Sequence, residues 1–263
     1  MVNTALLNWT ISQFLTVIII MIRVIPLIFF MPVIGSTSVP AQVKILTAVS
    51  ISIILVSTVP VNISSLPETT LAFTIFVLSE ICFAGILAVF ARMIFAAAQI
   101  AGQMVGIQMG MGMAGVMDPQ SGTQVSMIGQ FWYLLAILIF LSINGHHIFF
   151  KTLTESFNWV KPGTLILKQA SYEGMMQGVS HMFVLAIKIM APASAAVFFS
   201  HVAMGIIAKT VPQIPILIVG MPLNIGVGII FVGLSLAYFA PLMIRQFEML
   251  GRLLPQLAMG LGG

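Results

Sequence analysis

Catalysis or metal binding needs nucleophiles, acids, bases or ligands within reach of one another, and this chain supplies few. It has four histidines, of which His146 and His147 are adjacent while His181 and His201 stand apart. Neighbouring histidines on a helix project about 100° from each other, and no carboxylate sits at a spacing that would complete a zinc site. Cys82 is the single cysteine, which removes an intrachain disulfide and any cysteine-built metal centre. Ser121-Gly122 lacks the Gly-x-Ser-x-Gly context of a hydrolase nucleophile, and Asp118-Pro119 has no second acid nearby. Asp118 reads instead as the start of a turn whose backbone the proline sets. Asn144-Gly145-His146 reads as a helix end. No catalytic residue, metal or cofactor is expected, and an intramembrane enzyme is the least supported class.

The remaining ionisable groups lie inside apolar runs. They are Arg23, Glu80, Arg92 and Lys188. An unpaired charge in the hydrocarbon region costs several kcal/mol, so such residues mark either function or pairing. A proton relay would normally show more than one acid along a path. Pairing, within the chain or with a neighbouring subunit, is the stronger expectation. Glu80 and Arg92 would stand about 18 Å apart along one helix, so their partners must lie elsewhere.

The most distinctive stretch spans residues 98–122. Ala98, Gly102, Gly106 and Gly110 fall four apart, a small-residue stripe of the kind that lets membrane helices approach closely. Met109, Met111 and Met113 then alternate with Gly110 and Gly112, and Gly115, Met117 and Asp118 follow. Glycine at this density weakens helix and strand alike. Unbranched thioether side chains on such a backbone can conform to an irregular ring, seal it and move aside. The stretch is expected to be a tightly packed helix that ends in a pliable loop closing an opening.

Composition sets the elements that must hold this loop. Hydrophobic residues make up 60% of the 263 and charged residues only 6%, against about 25% charged in soluble domains. That is an integral membrane protein. The net charge of +4 is scattered, without a basic run, so nucleic acid is not an expected partner. The N-terminus lacks the basic flank and cleavage site of a signal peptide, so the chain reads as mature from its first residue.

Six long hydrophobic segments are legible. Residues 9–30 form the first, carrying Arg23 and closing with Pro26 and Pro32; residues 43–59 form a short second. Residues 69–108 contain no proline, so one helix could run through them for about 60 Å, twice the membrane core. Its second half, with Arg92, Gln99, Gln103 and Gln108, suits a protein assembly or water better than lipid. Segment four covers 125–150, and a connection over 151–170 holds three lysines and Trp159. Segment five, 172–207, is overlong and expected to break at Pro192; segment six covers 216–238 and is rich in glycine. The tail, 242–259, is amphipathic, with Met243, Phe247, Leu250, Leu254 and Leu257 on one face and Arg245, Glu248 and Arg252 on another. It would lie at an interface, against a partner or on the chain's own bundle. With six crossings, five basic residues share a side with the termini against Lys44 and Lys209 opposite, which puts both termini in the cytoplasm. The fold class is thus an all-α membrane protein of about six long hydrophobic helices, some broken. They form hairpins that pack into a hetero-oligomeric helical assembly, and the whole of 1–263 forms a single integral-membrane domain.

Four sets of residues together resemble the FliR family, the inner-membrane components of the flagellar type III export gate. They are Pro32-Val33-Ile34-Gly35 with Val39-Pro40 and Lys44; Gly106-Ile107-Gln108-Met109-Gly110 with Asp118-Pro119-Gln120-Ser121-Gly122; Asn144-Gly145-His146-His147; and Val211-Pro212-Gln213 with Val219-Gly220-Met221-Pro222. The resemblance covers the whole chain. It implies a pore built from several copies each of FliP and FliQ and one FliR, wound as a shallow helix largely above the bilayer plane. It also implies that 1–122 is FliP-like and that 123–263 includes a FliQ-like hairpin, so that the subunit closes the ring. The loop at 109–122 would project into the pore as a plug. The family often places phenylalanine there, where this chain has methionine and alanine. Implied partners are FliP, FliQ, FlhA and FlhB, with unfolded rod, hook and filament subunits as the exported substrates and proton-motive force as the driver. The implied location is the bacterial inner membrane, in the flagellar basal body. The homologous subunit of a virulence injectisome is the near alternative. A small-solute secondary transporter is a more distant one, favoured by the broken, glycine-rich segments but lacking matching halves.

Overall fold

The computed structural model describes residues 4–36, 39–59, 67, 69–111, 126–166, 168–213 and 215–262. Seven helices and no strand occur among the described residues. They are α1 (Thr4–Phe30), α2 (Ala41–Leu55), α3 (Thr70–Gln108), α4 (Met127–Ser142), α5 (His146–Trp159), α6 (Gln169–Thr210) and α7 (Ile216–Gly260). Four of them, α1, α3, α6 and α7, are long and apolar enough to cross a membrane, and a fifth span results if α4 and α5 count as one. The all-helical expectation holds, with fewer spans than the six segments suggested.

The differences have local causes. At 15 residues, α2 extends about 22 Å, short of the roughly 30 Å of hydrocarbon. Segment four splits into α4 and α5, with a break between Ser142 and His146. Between them Asn144 adopts the left-handed conformation with φ 56°, which asparagine tolerates better than most residues. The anticipated connection after residue 150 is therefore mostly helix. Pro192 does not break α6, which runs 42 residues through it. The proline leaves the Lys188 carbonyl without an N–H to accept, but a membrane helix can absorb that single loss. Segment six and the amphipathic tail are one helix of 45 residues.

Two compact units are each assembled from separated stretches, and α3, α6 and α7 contribute to both. The first comprises Met1–Arg92, Asn144–Gly178 and Glu248–Gly263. Its core takes Ile20, Val24, Leu27 and Ile28 from α1, Phe83 and Leu87 from α3, and Phe149 and Leu153 from α5. The chain's end closes on this unit. Ser171 Oγ donates to the Gly260 carbonyl at 2.7 Å, and the Ile166 N–H donates to the Leu261 carbonyl at 3.1 Å.

The second unit comprises Met93–Ile143 and Val179–Phe247. At its centre Phe95 of α3, Phe140 of α4 and Phe247 of α7 have ring centroids 5.1–5.4 Å apart, within the range for favourable aromatic pairs. Trp132 stacks on Phe239 at 6.0 Å. The apolar face of the tail is buried throughout: Met243 and Phe247 in this unit, and Leu250, Leu254 and Leu257 in the first. Arg245, Glu248 and Arg252 are exposed. Packing on the chain's own helices thus accounts for the tail's periodicity.

Candidate functional site

Arg23 is fully buried, and each of its three guanidinium nitrogens donates a hydrogen bond. Nε donates to Glu80 Oε2 at 2.5 Å and Nη2 to Glu80 Oε1 at 3.0 Å, the two parallel bonds of a forked pair. Nη1 donates to Ser156 Oγ at 3.2 Å and to the Val160 carbonyl at 3.1 Å. The ring of Phe157 lies 4.4 Å from the guanidinium carbon and that of Phe83 4.7 Å, both within cation–π range. Glu80, 2% exposed, also accepts from the Gly163 N–H at 2.8 Å. Gly163 has φ +79°, a conformation that suits glycine.

This arrangement ties α1, α3, α5 and the turn at 160–163 together. Two charges deep in an apolar core are tolerable when paired and hydrogen-bonded; here they pair with each other, and four of the five guanidinium N–H groups and both carboxylate oxygens are engaged. Sequence alone identified Arg23 and Glu80 as groups needing partners. It missed Ser156 and Gly163, which carry no mark beyond following α5's amphipathic face and standing in a Pro-Gly turn. Arg92 and Lys188 are not brought to this cluster. Both are exposed and neither makes an ion pair among the described residues.

The small-residue stripe lies in the second unit. Ala98 is fully buried, and Gly102 and Gly106 are buried beside it. Here α3 meets the start of α4 with backbone against backbone. A Cβ on Gly102 would fall 2.5 Å from the Gly129 Cα, and one on Gly129 would fall 2.9 Å from the Gln99 carbonyl oxygen. Ser126 caps α4 by accepting from the Gly129 N–H at 3.3 Å, and its hydroxyl donates to the Gly102 carbonyl at 3.2 Å. The stripe therefore serves close packing inside the chain.

Immediately beyond it α3 stops. The Gly110 N–H donates to the Ile107 carbonyl and the Met111 N–H to the Gly106 carbonyl, both at 3.0 Å. Gly110 has φ +83°. This paired bonding around a left-handed glycine is the Schellman stop. Met109 is fully buried, and Met111 is half-buried. The remaining residues of the expected plug, Gly112, Met113, Gly115, Met117 and Asp118, lie outside the described residues. Gly228 of α7 packs on Met109: a Cβ there would lie 2.6 Å from Met109 Cγ and 2.8 Å from Sδ. Sequence reading saw Gly228 only as one of several glycines in segment six.

Four or five membrane-length helices with an internally paired charge cluster define an integral membrane protein. Among the described residues no group of three His, Cys, Asp or Glu side chains could hold a metal ion. Comparison with known proteins refines the class. Residues 14–250 match the family described as bacterial export proteins, family 1. The flagellar biosynthetic protein FliR of Bacillus subtilis (strain 168) is 33% identical over 229 residues, 85% of this chain and 87% of that relative. The FliR proteins of Pectobacterium carotovorum subsp. carotovorum and Escherichia coli (strain K12) are 27% and 26% identical over 96% and 89% of this chain, and the same shares of their own lengths. The chain belongs to the FliR family of bacterial flagellar export proteins.

Proposed function

We propose that this chain is the structural and gating subunit of the flagellar type III protein export gate. It completes a pore with FliP and FliQ in the bacterial inner membrane, within the basal body, and stands above FlhA and FlhB. Unfolded flagellar subunits pass through that pore, which the stretch at 109–122 closes. The family relationship supports the export role. For the gating role, the supporting observation is the helix end at Gly110. A rigid α3, held backbone to backbone against α4, stops by a glycine lock where the alternating Met/Gly stretch begins. A firm mount followed by soft, unbranched side chains is what a reversible seal requires. The exposed positions of Arg92 and Lys188 on long apolar helices fit contacts with neighbouring subunits, since a bare cation facing hydrocarbon would be costly.

Co-expression with the products of adjacent genes tests the assembly. A large hetero-oligomer containing this chain is expected, and a chain that stays monomeric with all of them present would refute the reading. Replacing the methionines of 109–117 with serine tests the seal, because the cells should then leak small ions.

A further inference from the structure

The Met/Gly stretch begins with a residue that is already seated. Met109 is fully buried. Its side chain fills the space that a side chain at position 228 would occupy, with Cγ and Sδ 2.6 and 2.8 Å from where a Gly228 Cβ would sit. On the next residue, the methyl carbon of Met221 lies 3.7 Å from where a Cβ on Gly110 would be. Met221, Asn224 and Gly228 fall on one face of α7 at helical spacing, and Asn224 is itself held by Ser200 Oγ at 2.6 Å. Gly226 and Gly233, on other faces of the same helix, have open space where Gly228 has Met109.

We infer that Gly228 is a positioning residue for the gate: a notch on α7 that anchors Met109. Met109 is then the fixed root of the loop and not part of its sealing surface. The inference rests on the gate reading and assigns within it which methionine holds and what holds it. An unbranched thioether suits the notch because its end can lie flat along a helix backbone that has no Cβ. A branched side chain at 228 would occupy the same volume and expel it. The glycine lock at Gly110 follows directly, so α3, which runs to Gln108, stops at the seated Met109.

The test uses the full chain purified with the products of its neighbouring genes, in a Cys82→Ser background because Cys82 is exposed. With Met109→Cys, a bulky maleimide should leave the introduced thiol unlabelled in the native assembly and label it after denaturation. Adding Gly228→Leu, which overfills the notch even beside a cysteine, should abolish the protection while the partners still co-purify. In the native cysteine background Gly228→Val should raise the ion conductance of the assembly, and Met109→Ala combined with Gly228→Val, which restores the total volume, should lower it again. General misfolding at 228 would instead reduce assembly and gain nothing from Met109→Ala. Rapid labelling of the thiol at position 109 in the native assembly, or unchanged protection with Gly228→Leu, would overturn the inference. Deletion of residues 112–122 without any rise in conductance would refute the gate reading alone, leaving the thiol result to decide the anchor.

Discussion

Arg23 and Glu80, 57 positions apart, form a forked ion pair whose guanidinium is fully buried and whose carboxylate is nearly so. The pair joins α1 to α3, and the free edges of both groups are bonded to α5 and the turn after it. Its value is therefore geometric. It sets how three helices register in the first unit, at a large desolvation cost that the forked bonds offset.

Removing one partner should be severe. Glu80→Leu strands a buried guanidinium and is expected to destabilise the first unit by about 3–5 kcal/mol, read as a lowered unfolding midpoint in detergent. The double variant Arg23→Met with Glu80→Leu should recover most of that loss. Arg23→Lys should not substitute, because an ammonium cannot reproduce the planar fork and the bonds to Ser156 and Val160 together. A double variant no more stable than the single would show that the pair contributes through something other than charge.

Gly102 and Gly129 set the separation of α3 and α4. Gly102→Val must push the two backbones apart, with an expected loss of about 1–3 kcal/mol for overpacking. Ser126→Ala removes the cap and the bond to the Gly102 carbonyl, for about 1 kcal/mol. Thermal unfolding of the purified chain distinguishes the two magnitudes, and the assembly yield should follow the same order.

The tail's two faces should respond differently. Phe247 is completely buried among Phe95 and Phe140, so Phe247→Ala should cost about 3–5 kcal/mol. Arg252 is exposed, so Arg252→Ala should change the chain's own stability by no more than about 0.5 kcal/mol. Equal effects at the two positions would contradict this division of the tail into a packed and a free face.

In the gate itself, methionines are not interchangeable. Met111→Ser, Met113→Ser and Met117→Ser together should increase ion leak across the membrane while the assembly forms normally. Met109→Ser should in addition destabilise the second unit, because it empties a filled position against Gly228; about 2–5 kcal/mol is typical of losing a large buried side chain. Conductance and unfolding measured on the same preparations separate sealing from anchoring.

The sequence by itself determined what is local. Composition required a membrane, the proline-free run at 69–108 allowed one helix longer than a bilayer is thick, and the 3.6-residue period of Met243, Phe247, Leu250, Leu254 and Leu257 marked the face that is buried. Charges in apolar runs announced that Arg23 and Glu80 need partners. The end of α3 was legible because glycine's weakness as a helix former is a property of the residue itself. What only the tertiary structure decided is which surfaces meet. Nothing in a periodic pattern names the helix on the other side, so Arg23 with Glu80, Gly102 with Gly129, and Met109 with Gly228 emerge only from packing. The same holds for continuity. Pro192 and the junction of segment six with the tail looked like breaks, yet each helix runs through unbroken, because a proline removes only one backbone hydrogen bond and a membrane helix tolerates that loss.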